Sequence, residues 1–263
     1  MTELTEEKLA EIRDLFIEKV EEVKQLPDRI NHEFDNLRSS APGLYLMLTG
    51  KRDDAQAKLK ELLDELVPAV EGMFAPWLFV DYAAKWQALG AKVAGATATL
   101  NRHDLNMEGD WDGNAYKSYT ASRTAQLAGV DGIKTLCNLV HDELLAVAED
   151  GRVLYSNIIN KLATMVGEVG IALGEAASTA GASLAWGVIN LNNAIVAGFE
   201  MVVQAITDMG EVGTKVYLAI QHFNNMITNP AGMVADHGKT TWPTAEAQEY
   251  DNQDDNWAQS GTG

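Results

Sequence analysis

The side chains able to do acid–base, nucleophilic or metal chemistry are five histidines (His32, His103, His141, His222 and His237), one cysteine (Cys137) and 38 carboxylates. Their spacing does not organise that chemistry. No two histidines form the His-Glu-x-x-His arrangement that places two zinc ligands and a general base on one helical face, and none shares ligand spacing with the cysteine. His141-Asp142-Glu143 brings three candidates together in sequence, but adjacent residues point to different sides of a helix, so this reads as a polar face. A lone Cys137 forms no intramolecular disulfide and no cysteine metal cluster, and is expected to pack as a small apolar side chain. Neither a phosphate-cradling Gly-x-x-x-x-Gly-Lys-Ser/Thr loop nor a Gly-x-Ser-x-Gly nucleophile elbow occurs. With so many acids, carboxylate pairs arise by chance. The expectation is a non-catalytic protein with no cofactor and no metal.

The elements that carry these residues read as helices. The chain has 263 residues, 46% of them hydrophobic, enough to bury a core, and no stretch alternates apolar and polar residues as a half-buried strand would. Leu9, Phe16, Val23, Ile30 and Leu37 recur at intervals of seven, with Ile12, Val20, Leu26 and Phe34 between them, describing a long helix with a coiled-coil-like seam that wants a partner; Pro27 should kink it. A second helix is expected from near Asp53 or Asp54, through Leu59, Leu62, Leu63 and Leu66, to Pro68 and Gly72. Pro76 opens a third, in which Trp86, Leu89, Val93, Ala96 and Leu100 follow helical spacing. A fourth runs from Ala115 to Val147 through Leu127, Val130, Ile133, Leu136, Val140 and Leu144. The net charge of −18 disfavours a nucleic-acid backbone or an anionic membrane as partner.

Between the third and fourth helices lies Gly109-Asp110-Trp111-Asp112-Gly113. Its glycines adopt positive φ without steric cost and Asp112 can accept from the free amides that open a helix, so the segment is the turn of a helical hairpin, with Trp111 as an apolar clasp. Here the chain resembles the WxG family, the helical hairpins exported by type VII (ESX) secretion systems. The resemblance rests on Trp111 and Gly113 in the turn, Leu105 six positions earlier, Ala115, and Tyr116 or Tyr119 in the next helix. It spans roughly 77–165, about a third of the chain. Exported members of the family or their partners carry a Tyr-x-x-x-Asp/Glu signal, and Tyr250 with Asp254 fits it, although farther beyond the hairpin than the family places it. The resemblance implies a type VII substrate or secretion-associated protein that acts by helix–helix association. Its partner would be another helical protein or a second copy, with a type VII ATPase or chaperone as further candidates. The acidic N-terminus lacks the basic and apolar regions of a Sec signal, so the expected route is leaderless, from the cytoplasm.

From Ile158 to Ile206 the composition turns to Ala, Gly, Val and Ile, and 176–199 carries no charge. That length suffices to span a bilayer. Ser178, Thr179, Ser183, Asn190, Asn192 and Asn193 dilute it, which favours a close-packed soluble helix over a membrane-inserting or pore-forming one. Gly170-x-x-x-Gly174 and Gly181 would admit a close neighbour. A cytoplasmic scaffold is the remaining alternative. The expected class is all-α, an elongated helical bundle, divided as 1–75 (seamed N-terminal helices), 76–165 (hairpin), 166–228 (apolar helical segment) and 229–263 (disordered acidic tail).

Overall fold

A computed structural model describes residues 6–105, 111–178, 182–228, 233–236, 239–243 and 258–259. The protein is all-helical in class. Six helices occur among the described residues: α1 Glu6–Ser40, α2 Pro42–Gly72, α3 Ala75–Leu100, α4 Asn114–Ser178, α5 Ala182–Thr207 and α6 Met209–Thr228. Four short strands accompany them: β1 Trp111–Asp112, β2 Val234–Asp236, β3 Lys239–Thr241 and β4 Ala258–Gln259. These pair only as two antiparallel ladders, β1 with β4 and β2 with β3. The helices group into two compact units, residues 1–79 with 147–215 and residues 80–146 with 216–263. The helix α4 runs through residue 165, the expected end of the hairpin, without a break.

In the first unit the seam read in α1 is buried inside the chain: Leu9, Phe16, Val20, Val23, Leu26, Ile30, Phe34 and Leu37 are all under 6% exposed. The helix continues through Pro27. Gln56 on α2 donates Nε2–H to the Pro27 carbonyl at 3.0 Å, tying the two helices together there. Matching alternations of three and four residues line the other helices: Ala55, Leu59, Leu62, Leu66 and Ala69 on α2; Tyr155, Ile158, Leu162, Met165, Val169 and Ala172 on α4; Val188, Leu191, Ile195, Gly198, Val202 and Ala205 on α5. Such a repeat keeps one apolar stripe facing inward along a whole helix. From Phe16 onward the α1 seam and these three faces form one core.

The helix starts correct one expectation. α2 begins at Pro42, eleven residues before Asp53, because Ala41 is extended (φ −146°, ψ 73°) and Pro42 supplies the φ a first helical turn needs. The Ser39 and Ser40 hydroxyls donate to the Asp35 and Asn36 carbonyls and close α1 just before it. At the far end of α2 the Met73 amide bonds Val70 O at 3.4 Å, one residue short of the α-helical partner, which leaves the Ala69 carbonyl free of it. Tyr155 from α4 fills that vacancy, donating its hydroxyl to Ala69 O at 2.9 Å. Its ring stands edge-on to Phe16, with centroids 5.3 Å apart.

The second unit holds the antiparallel pair of α3 and the first half of α4. Ala83 is opposite His141, Gly90 opposite Cys137, Leu100 opposite Arg123 and Leu105 opposite Tyr119, so the position on one arm rises as its partner falls. The inward face of α3 runs through Ala83, Trp86, Gly90, Val93, Thr97 and Leu100, and Leu89 and Ala96 point outward. An added Cβ on Gly90 would sit 3.3 Å from the Cys137 Cβ. The close approach at this glycine turns the helix so that Gly90, and not the bulkier Leu89, faces α4.

Candidate functional site

The candidate site is the turn joining the hairpin arms. The two arms are fastened close to it. Tyr119 donates its hydroxyl to the Leu105 carbonyl at 2.6 Å, and the Arg123 guanidinium donates Nε–H to the Leu100 carbonyl at 2.9 Å. The Leu100 carbonyl is among the last four of α3 and Leu105 ends a short 3-10 turn, His103–Leu105, so both bonds satisfy carbonyls that the ending helix leaves over. Gly113, immediately before α4, has φ 86°, a conformation open to glycine at little cost. The Lys117 amide bonds the Gly113 carbonyl at 3.3 Å and begins the helix. Tyr116 is half-buried on the first turn of α4. Trp111 and Asp112 pair by backbone with Gln259 and Ala258.

Of the site residues expected from sequence, Gly113 and the backbone of Trp111 are placed at this turn, and Leu105 and Tyr119 are brought into direct contact. Tyr250 and Asp254 lie outside the described residues. The role of Arg123 is not visible in the sequence, because an arginine among helical residues carries no sign that it will reach the end of the preceding helix.

Two of the groups that could do chemistry, His141 and Cys137, are packed between the arms of the second unit. His141 is half-buried, its Nδ1 3.0 Å from the Ala83 carbonyl, which makes it a cross-hairpin tie and corrects the reading of an exposed polar face. Cys137 is fully buried, and burial pushes its thiol up, away from the thiolate a nucleophile needs. Among the described residues no three His, Cys, Asp or Glu side chains are grouped to hold a metal ion.

In the first unit an open groove of about 360 Å³ lies between α4 and α5, lined by Glu168, Ile171, Ala172, Glu175, Asn190, Asn193, Ala194 and Ala197. Asn190 donates to Glu175 across it at 3.3 Å. It has no nucleophile, no histidine and no cation among its lining side chains. The close helix approach expected at Gly170 and Gly174 is not there: a Cβ at Gly174 meets nothing within 4 Å and one at Gly170 only the Arg29 side chain at 3.9 Å. It occurs on α5, where a Cβ on Gly198 would fall 2.2 Å from Met165 Cγ. Gly181 is outside the described residues. The stretch Gly187–Thr207 of α5 is long and apolar enough to cross a membrane by length and composition, and its inward face belongs to the first unit's core.

No protein-family model, curated protein or solved structure matches the chain.

Proposed function

We propose that this protein is a type VII secretion substrate or secretion-associated protein that works by helix–helix association and not by catalysis. The observation that carries the reading is the 2.6 Å hydrogen bond from Tyr119 to the Leu105 carbonyl. Leu105 is one of the pattern positions that flank Trp111 and Gly113, and Tyr119 is one of the two candidates for the pattern's aromatic; their contact gives the spacing a physical purpose, since the leucine's carbonyl at the end of one arm is bonded by an aromatic in the opening turns of the next. The positive φ of Gly113 supports the same reading, because a residue with a side chain would be strained at the point where α4 must begin.

The distance of Tyr250 and Asp254 from the hairpin along the sequence becomes less of an objection. Ala258–Gln259, four residues beyond Asp254, pairs with Trp111–Asp112, so the chain returns to the turn just after the candidate signal. In this reading the protein is cytoplasmic until exported by the type VII route, and its partners are helical proteins, with a type VII ATPase or chaperone receiving the signal.

The test is export from a type VII-competent host and from the same host lacking the secretion ATPase. The parent chain is expected in the medium of the first and only in the cells of the second. Tyr250→Ala and Asp254→Ala should remain in the cells with an unchanged far-UV circular dichroism spectrum after purification. Equal export with and without the ATPase would overturn the type VII reading, and a parent chain that never leaves the cell would favour a cytoplasmic scaffold.

A further inference from the structure

The groove between α4 and α5 has the parts of a seat for one more helix. The two helices run antiparallel along it, with Met165 opposite Gly198 and Glu175 opposite Asn190. On the α4 side the dipeptide Gly-Glu occurs at 167–168 and again at 174–175, with Ile171 between them. Gly167, Ile171 and Gly174 therefore follow spacings of four and three, the repeat of a coiled-coil seam, and Glu168 and Glu175 hold flanking positions where interhelical ion pairs form. Among the described residues nothing covers this seam: Ile171 is 65% exposed, and a Cβ on Gly167 or Gly174 meets nothing within 4 Å. The rest of the groove is lined by the small side chains of Ala172, Ala194 and Ala197 and by Asn190 and Asn193, with no cation among them.

We propose that this groove seats a basic helix of another protein, whose lysine or arginine side chains recur every seven residues and meet Glu168 and Glu175. The proposal rests on the helix–helix part of the reading above and not on export. Period, size and charge each select the occupant. A repeat of seven is matched by a helix lying nearly along α4, whereas an extended chain repeats every second residue. Glycine and alanine let a second backbone come close, as this chain's own contacts show where Gly198 seats Met165 and Gly90 faces Cys137. The two carboxylates, in a chain of net charge −18, attract a cationic helix and turn away an acidic one, a second copy included. A bilayer fits no better, because it would strip water from two carboxylates and two amides.

The test titrates the full chain with a labelled helical peptide of about three heptads, built from alanine, leucine and lysine with the lysines in the flanking positions, and reads fluorescence anisotropy. Saturable binding is expected. The same peptide with glutamate for lysine should not bind, and one of equal lysine content broken by proline should bind about tenfold more weakly or less. Glu168→Gln combined with Glu175→Gln should weaken binding about fivefold. Gly174→Leu, which fills the seat, should weaken it about tenfold or more, whereas Gly50→Leu, at an equally open glycine on α2, should change it by no more than about twofold. Circular dichroism identical to the parent's shows that each variant is folded. No binding at millimolar peptide, equal binding of the broken peptide, or equal effects of the two leucines overturns the proposal. So does a parent chain that dimerises in sedimentation velocity and loses this with Gly174→Leu, which would give the groove to a second copy. Export is measured separately, so the two readings fail separately.

Discussion

Tyr155 joins three roles in one side chain, and they separate with pH. It is 4% exposed, it bonds the Ala69 carbonyl that the tightened end of α2 leaves over, and burial pushes its hydroxyl up to about 12 from the ordinary 10. Tyr155→Phe keeps the ring against Phe16 but removes the donor, so at pH 7 it should cost about 1 to 2 kcal/mol, the usual loss when a buried acceptor is left unsatisfied. Below pH 10 both folded and unfolded tyrosine hold the proton and the parent keeps its full advantage. Above pH 10 the unfolded chain releases it first, so the parent loses up to about 2 to 3 kcal/mol as pH rises through 12, a loss that phenylalanine cannot suffer. Denaturant titrations at neutral and alkaline pH should therefore show the gap between parent and variant closing as pH rises. A gap that stays constant would mean Tyr155 ionises as readily in the folded protein as in the unfolded one.

Helix faces were legible wherever bulky apolar residues alone set the repeat, as in α1, where the residues spaced by seven are all buried, with Val20, Leu26 and Phe34 between them. They were less legible where a glycine does the packing. Periodicity weighs side chains, and a residue without one is silent: Gly90 faces α4 while the apolar Leu89 beside it does not, and Gly198 seats Met165 while the conspicuous Gly170 and Gly174 have room to spare. Start signals misled for a related reason, since Asp53 and Asp54 suit a helix N-terminus but sit within α2, whose beginning is fixed by the backbone of Ala41 and Pro42. At the turn, the resemblance singled out Gly113, Leu105 and either Tyr116 or Tyr119, but not the hydrogen bond between Leu105 and Tyr119, because a donor's reach depends on how the arms cross. The glycine contrast can be measured. Gly198→Ala places a Cβ 2.2 Å from Met165 Cγ and 2.6 Å from its Cβ, near the stiff stem of a fully buried side chain, and should destabilise by about 1 to 3 kcal/mol. Gly174→Ala meets nothing within 4 Å and should stabilise α4 by about 0.5 to 1 kcal/mol through helix propensity. Thermal melts of the two variants should move in opposite directions, and a Gly198→Ala melt at or above the parent's would mean that Met165 yields freely.

At the scale of the whole chain, the question is whether α5 is a core helix or a membrane helix held in reserve, and the burial of its inward face supports the first. Val188, Leu191, Ile195, Val202 and Ala205 are each under 5% exposed and share one core with α1, α2 and the second half of α4. Each large apolar side chain withdrawn from a core forfeits about 1.5 to 3 kcal/mol, and the partners left behind on α2 and α4 would lose their cover too. A bilayer would return the apolar part of that energy to α5 but not to the helices it abandons. It would also receive α5's asparagines badly. Asn190 and Asn193 are exposed, Asn190 bonded to Glu175, and the Asn192 carbonyl oxygen is buried with no partner; in lipid each unsatisfied amide costs several kcal/mol. The protein should therefore leave dye-loaded vesicles of neutral phospholipid intact at neutral pH. Placement also refines the controls. A lysine at Val188 or Ile195 is expected to unfold the first unit, because both side chains are buried, whereas a lysine at the 38%-exposed Ile189 should be tolerated. Dye release by the parent, suppressed by Ile189→Lys in a variant that remains folded, would show that α5 leaves the core to enter the bilayer and would move membrane insertion ahead of helix–helix association.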